Sequence, residues 1–186
     1  TLVLTYAEIP YEIVYDDEIL DGKLLLYDWL HLHHEDFTGQ YGKFFFCYCG
    51  AQWYQNEVAD QEARAKRRGF NKVSEMKLAV AKQIRDFITG GGFMFAMCSA
   101  TDSYDIAMAS DGIDICDNVF DGDAQDPDAN NKLHYENCMA FENWKLHTNP
   151  YEYEYSDIDA TQTRNVQKDV DYFTLFDFSA KWDPVP

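Results

Sequence analysis

A glycine triplet between two differently patterned segments constrains this chain most. Gly90-Gly91-Gly92 follows a segment, Ser74–Thr89, whose apolar residues Met76, Val80, Ile84 and Phe87 recur at helical spacing. It precedes Phe93–Met97, a continuous apolar run of the kind found in strands buried on both faces. The reading is a helix with Ser74 as N-cap and Val73 and Leu78 as a hydrophobic staple, then a tight turn and a strand. Cys98 follows at once, and Ser99-Ala100-Thr101-Asp102 fits a capping box opening a helix to about Ala109. Helix, turn, strand and helix in that order predict a βαβ rhythm and a mixed α/β fold.

The rest of the chain is read around this unit. Thr1–Ala7 is a helix end. Tyr11–Tyr15 alternates like a short strand, and Asp16 to Gly22 reads as a loop. Tyr27–His33 is a second strand, with Trp29, His31 and His33 on one face and Leu30, Leu32 and His34 on the other. Glu35–Gly50 reads as a loop. Asn56–Arg68 reads as an exposed helix, acidic early and basic late. Asp111–Asn131 reads as an acidic loop. Tyr151–Tyr155 and Tyr172–Trp182 read as extra β segments in the C-terminal third. The expectation is a single domain over residues 1–186, cut from a longer protein.

Composition narrows the function classes. The 186 residues carry 33 acidic against 15 Lys and Arg side chains, a formal net charge of −18. That field repels phosphate backbones and anionic lipid, so no nucleic-acid partner is expected. No apolar run reaches the roughly 20 residues of a membrane span. The five cysteines are odd in number and irregular in spacing, which predicts free thiols rather than a disulfide framework. Free thiols suit a reducing space such as the cytoplasm, with a periplasmic parent left open.

Ala96-Met97-Cys98-Ser99-Ala100 is the sharpest chemical feature. A nucleophile elbow places its nucleophile where a strand turns into a helix, with small residues two before and two after. Here alanines hold those places. Cys98 would then stand at the positive end of a helix, which favours thiolate over thiol. The Ser99 N–H would face a developing oxyanion. The plain alternative is a cysteine packed at a strand end.

Gly90–Ser110, together with Tyr27–Gly42, resembles the class I glutamine-amidotransferase-like superfamily. The resemblance is nearest to its ThuA-like branch and to bacterial proteins often labelled asparagine synthetase B. It implies a flavodoxin-like, doubly wound three-layer α/β/α fold with Cys98 at the nucleophile position, acting in cysteine-dependent amide hydrolysis or acyl transfer. Amidotransferases of this superfamily pair that cysteine with a later His and Glu. Downstream of Cys98 the histidines are His134 and His147, and neither is expected in a His-x-Glu pattern near a strand end. In the implied fold the ends of adjacent strands converge, so His33 or His34 would sit near Cys98 as the candidate base or orienter.

Two rival readings use other residues. His31-Leu32-His33-His34-Glu35-Asp36 closes a strand, where open α/β sheets bind ligands. His31, His33 and Asp36 would be the ligands of a divalent metal in a metal-dependent hydrolase. Histidines packed at a strand end, with no cofactor at all, are the preferred alternative. The aromatics, including Trp29, Trp53, Trp144 and Trp182, suggest a non-catalytic domain that stacks a carbohydrate or another small molecule. Asp121–Asn130 is dense in oxygen ligands but lacks the closing Glu of an EF-hand, and reads as a solvated acidic loop.

Overall fold

The computed structural model describes residues 2–159. Its centre is the unit the glycine triplet announces. β1 (Trp29–Leu32) and β2 (Phe93–Ala96) pair in parallel, with Trp29 opposite Phe93 and Leu32 opposite Ala96. A parallel pair needs a long crossover. Here it runs through α3 (Phe45–Tyr48), α4 (Gln52–Arg67) and α5 (Val73–Thr89). α6 (Ala100–Ala109) leaves β2 after a short turn. Shorter helices complete the chain: α1 (Leu2–Tyr6), α2 (Asp16–Leu20), α7 (Asn118–Asp121) and α8 (Ala129–Lys132).

α5 and α6 cover one face of the sheet. Leu30 and Leu32 pack in a core with Val80, Ala81, Ile84 and Phe87 of α5 and with Ala100, Tyr104, Ala107 and Met108 of α6. Met76, Val80 and Ile84 are fully buried, as their spacing predicts. α6 is buried nearly all round, because a second core built from residues 41 to 155 packs on its far side. Thr101 is its one exposed residue.

The chain turns sharply at two glycines for steric reasons. A Cβ at Gly92 would lie 2.3 Å from the Phe87 ring. A Cβ at Gly39 would lie 2.7–2.9 Å from Ser74 backbone and side-chain atoms, and Gly39 has φ +83°. Backbone cannot yield as a side-chain tip can, so Gly39→Ala is expected to cost on the order of 3 kcal/mol. Urea unfolding of the variant checks this; a cost under half of that would mean α5 slides freely against the loop.

Several elements differ from the sequence reading. Tyr11–Tyr15 forms no strand, and Asp16–Leu20 is helical rather than a loop. Three acidic residues in its first turn suit a helix N-terminus, and the Glu18 carboxylate accepts the Tyr15 N–H at 2.6 Å. Arg68 then bonds both Asp17 and Asp21, pinning α2 to the end of α4. Glu35–Gly50 contains a 3-10 turn at Tyr41–Lys43 as well as α3.

α5 begins one residue before Ser74. Lys72 holds the N-cap position, and Glu75 accepts the Asn71 and Lys72 N–H groups. The Ser99 side chain makes no cap bond either. β2 is not buried on both faces: Phe93 and Phe95 are 60% and 46% exposed, beside exposed Trp29 and His31. Only one face has a helix layer among the described residues. The expected strand at Tyr151–Tyr155 is a set of turns, closed by a single antiparallel bridge between Leu146 and Ser156. Tyr172–Trp182 lies outside the described residues. What stands is a mixed α/β arrangement with a two-stranded parallel sheet among the described residues.

Candidate functional site

Cys98 sits where β2 passes into α6, with φ +55°. An L-residue in the left-handed region is uncommon and costs about 1 kcal/mol or more unless its surroundings impose it. They do so here. The Met97 N–H still donates to Leu32 O on the neighbouring strand, and two residues later Ala100 is fully buried in the core. The chain has to reverse between these fixed points. Cys98 is exposed and unpaired.

Around it the backbone polar groups divide cleanly. Cys98 O accepts the Thr101 N–H at 3.0 Å and also the Thr101 hydroxyl. The Ser99 N–H has no acceptor among the described residues. It therefore stands free at the first turn of a ten-residue helix, next to the thiol.

His33 and His34 follow β1 at its C-terminal end, alongside the stretch of β2 that leads into Cys98. Their rings are exposed and lie 3.9 Å apart between centroids. No hydrogen bond joins either of them to the Cys98 thiol among the described residues. His31 Nε2 is 3.4 Å from Met97 Sδ. Glu35 O accepts the Ser103 hydroxyl at 2.9 Å, tying this loop to α6.

The metal ligands suggested by the sequence are not assembled. His31 and His33 lie on the open face, their rings 6.5 Å apart. Asp36 turns the other way and is buried. One of its oxygens accepts the Thr38 N–H and hydroxyl, and the other accepts the Gly42 N–H. Among the described residues, the groups close enough to share an ion are Asp114, Cys116 and Asp121. Lys72 Nζ already reaches Asp114 at 2.6 Å, Asp121 at 2.9 Å and Asp123 at 2.5 Å. Burial alone would lower the Lys72 pKa; these bonds outweigh it and raise it. The ammonium therefore fills the place a cation would take, and it neutralises the start of the acidic loop.

His134-Tyr135-Glu136 contains a His-x-Glu, with Nδ1 3.3 Å from the Glu136 carboxylate. It lies in a 3-10 turn, not at a strand end. The His134 N–H donates to Ala109 O, at the far end of α6. The ten residues of α6, about 15 Å of rise, separate it from the elbow.

Beneath the elbow lies a buried polar group that the sequence reading missed. Asp102, one turn past Cys98, accepts the Ser156 hydroxyl at 3.3 Å. Lys43 is 2% exposed, and its ammonium donates to His147 O at 2.9 Å and Glu154 O at 2.7 Å. It pins the turn 147–156 over the loop that follows β1. Burial pushes the Lys43 pKa down to about 8, against the pull of carboxylates at Glu152, Asp36, Glu154 and Asp102. The turn in its grip carries Tyr153, whose phenol is raised by burial and next by the Cys98 thiol. The cue in sequence is weak: a lysine inside an aromatic run.

Burial pushes Asp102 from 3.8 up to about 6, with Asp159 adding to the effect and Ser156 opposing it. A carboxyl raised on folding destabilises the folded state wherever it is ionised. The cost, roughly 3 kcal/mol, is present above pH 6 and disappears as pH falls through 6 towards 4. Asp102→Asn is thus expected to stabilise the protein by about 1–2 kcal/mol at pH 7.5 and not at pH 4. Urea unfolding at both pH values tests it; an equal effect at each would refute the charge argument.

Comparison with protein families, with curated proteins and with solved structures finds no match for this chain.

Proposed function

We propose that the chain is a glutamine-amidotransferase-like domain in which Cys98 is the nucleophile of amide hydrolysis or acyl transfer. The left-handed backbone of Cys98 between a strand and a helix carries this reading. Strain of this kind at a strand-to-helix turn is how an elbow holds its nucleophile out of the fold. The Cys98 sulfur would attack the amide carbonyl, and the free Ser99 N–H would stabilise the oxyanion. Collapse would expel the amine with a proton delivered by a general acid, leaving a thioester that water hydrolyses. His33 or His34 would supply the acid–base function from the end of β1.

The open sheet face fits the doubly wound architecture proposed with it. A parallel pair is ordinarily covered on both sides. Trp29, Phe93 and Phe95 form the apolar surface that a second helix layer would bury. The chemical test is hydrolysis of glutamine and simple primary amides, followed as ammonia release with a hydroxylamine trap for the thioester. Turnover lost in Cys98→Ser and in His33→Ala or His34→Ala supports the reading. Turnover that survives Cys98→Ser removes it.

A further inference from the structure

A second surface, built on aromatic rings, borders the elbow at Tyr153. Phe44 is the hub of a ring cluster: its centroid lies 5.9 Å from Tyr48, 5.9 Å from Trp53 and 6.0 Å from Tyr153. Tyr48 and Trp53 are themselves 5.1 Å apart, while Tyr151 and Phe46 form a separate pair at 5.8 Å. These rings are not core. Tyr48, Trp53, Tyr153, Tyr151 and Phe46 are 44%, 50%, 42%, 60% and 62% exposed. Three large aromatic rings half open to water around one hub leave π-faces free to receive a ligand.

Charge says what kind of ligand. The rings come from residues 44–53 and 151–153, which contain no Lys or Arg, and Glu57 and Glu152 beside them are exposed. Glu57 lies one helical turn from Trp53, and Glu152 stands between Tyr151 and Tyr153. Of the basic residues nearest in sequence, Lys43 is buried on two carbonyl oxygens, Arg64 is paired with Asp60, and Lys145 is exposed. Anions are repelled from such a surface. Neutral ligands gain hydrogen bonds from the carboxylates but no net charge attraction. An organic cation gains from both the ring faces and the acidic rim.

We propose that the Tyr48–Trp53–Tyr153 surface is a binding platform for an organic ammonium group, of the quaternary or alkylated amine class. Aromatic faces attract such cations because they are weakly hydrated and carry a diffuse charge. The proposal rests on this surface alone and stands whether or not Cys98 is a nucleophile.

The test titrates the whole chain with choline and with its uncharged isostere 3,3-dimethylbutan-1-ol, following the indole N–H resonance of Trp53 by NMR. Trp53→Phe assigns the resonance. Choline is expected to give a saturable shift, with the isostere roughly tenfold weaker or worse. Trp53→Ala and Tyr48→Ala should each weaken choline several-fold, as should Glu152→Gln. Choline binding is read without any amide turnover, so failure of the nucleophile reading and failure of this one are separable. All three platform side chains are exposed, and an unchanged urea midpoint confirms that each variant folds. Equal binding of the isostere, saturable binding of methyl glucoside in place of choline, absence of any saturable shift, or choline binding unchanged in Trp53→Ala would each overturn the proposal.

Discussion

Asp105→Ala is expected to destabilise the protein by on the order of 3–5 kcal/mol, a large share of the 5–15 kcal/mol that holds a domain together. Asp105 lies in α6 and is 1% exposed. One carboxylate oxygen accepts the Met139 N–H at 2.7 Å, and the other accepts Ala140 and Phe141 N–H at 2.8 Å each. Three successive amides therefore converge on one anion, a backbone nest built around a side chain. Removing the anion leaves three donors facing a space where water has poor access, and each such loss costs about 1–3 kcal/mol. The loop 138–141 would come away from α6, and its end of the second core with it. Asp105→Asn should cost less, because its amide oxygen still accepts while its NH₂ opposes one donor. Urea unfolding of both variants is the check. A loss in Asp105→Ala below about 1 kcal/mol would show that the nest is solvated and does not hold the loop.

Cys98→Gly should separate stability from chemistry. Glycine reaches φ +55° without the Cβ clash, so relief of strain is expected to raise stability by about 0.5–1 kcal/mol. Glycine's added freedom in the unfolded chain offsets part of the gain. If the domain hydrolyses an amide, the same substitution should lower turnover at least 10³-fold, since a missing nucleophile removes the covalent route. A site that gains stability when its reactive group is deleted is one where function is held against the fold. A loss of stability in Cys98→Gly would mean instead that the side chain packs, and that the left-handed turn is incidental.

The sequence carries the centre of this fold because local signals there agree with one another. The stripe of Met76, Val80, Ile84 and Phe87, the glycines after it and the apolar run after those all point to one arrangement, and all three are found. The periphery is harder because its determinants are long-range. α2 is fixed by Arg68 some fifty residues away, and nothing within Asp16–Leu20 announces that partner. Alternation at Tyr11–Tyr15 and Tyr151–Tyr155 mimics a strand, yet a strand needs a neighbour to pair with, which periodicity cannot supply. Phe93 and Phe95 show the converse error. Their hydrophobicity was legible, but which face of the sheet is covered is a matter of layers, not of a five-residue run.

The candidate site divides in the same way. Cys98 is legible because its spacing of small residues has a steric cause. The His31, His33 and Asp36 trio reads as a metal set only while the chain is taken as a straight strand; the turn after Glu35 aims Asp36 at Thr38 and Gly42 instead. The burial of Lys43 and of Asp102, which the sequence offers only as a capping residue, is not legible because each owes it to residues more than fifty positions away.

The central claim is that the fold makes Cys98 more reactive than an exposed thiol otherwise is. The direct test is competitive iodoacetamide labelling at neutral pH, native and in urea, with each cysteine read by peptide mass spectrometry. Cys47 and Cys49 are also exposed and serve as internal standards, while Cys116 is buried. An activated elbow thiol should label at least about tenfold faster than Cys47 and Cys49 in the native protein, and lose that advantage in urea. Native labelling of Cys98 at the rate of those two exposed cysteines, or slower, would contradict the account.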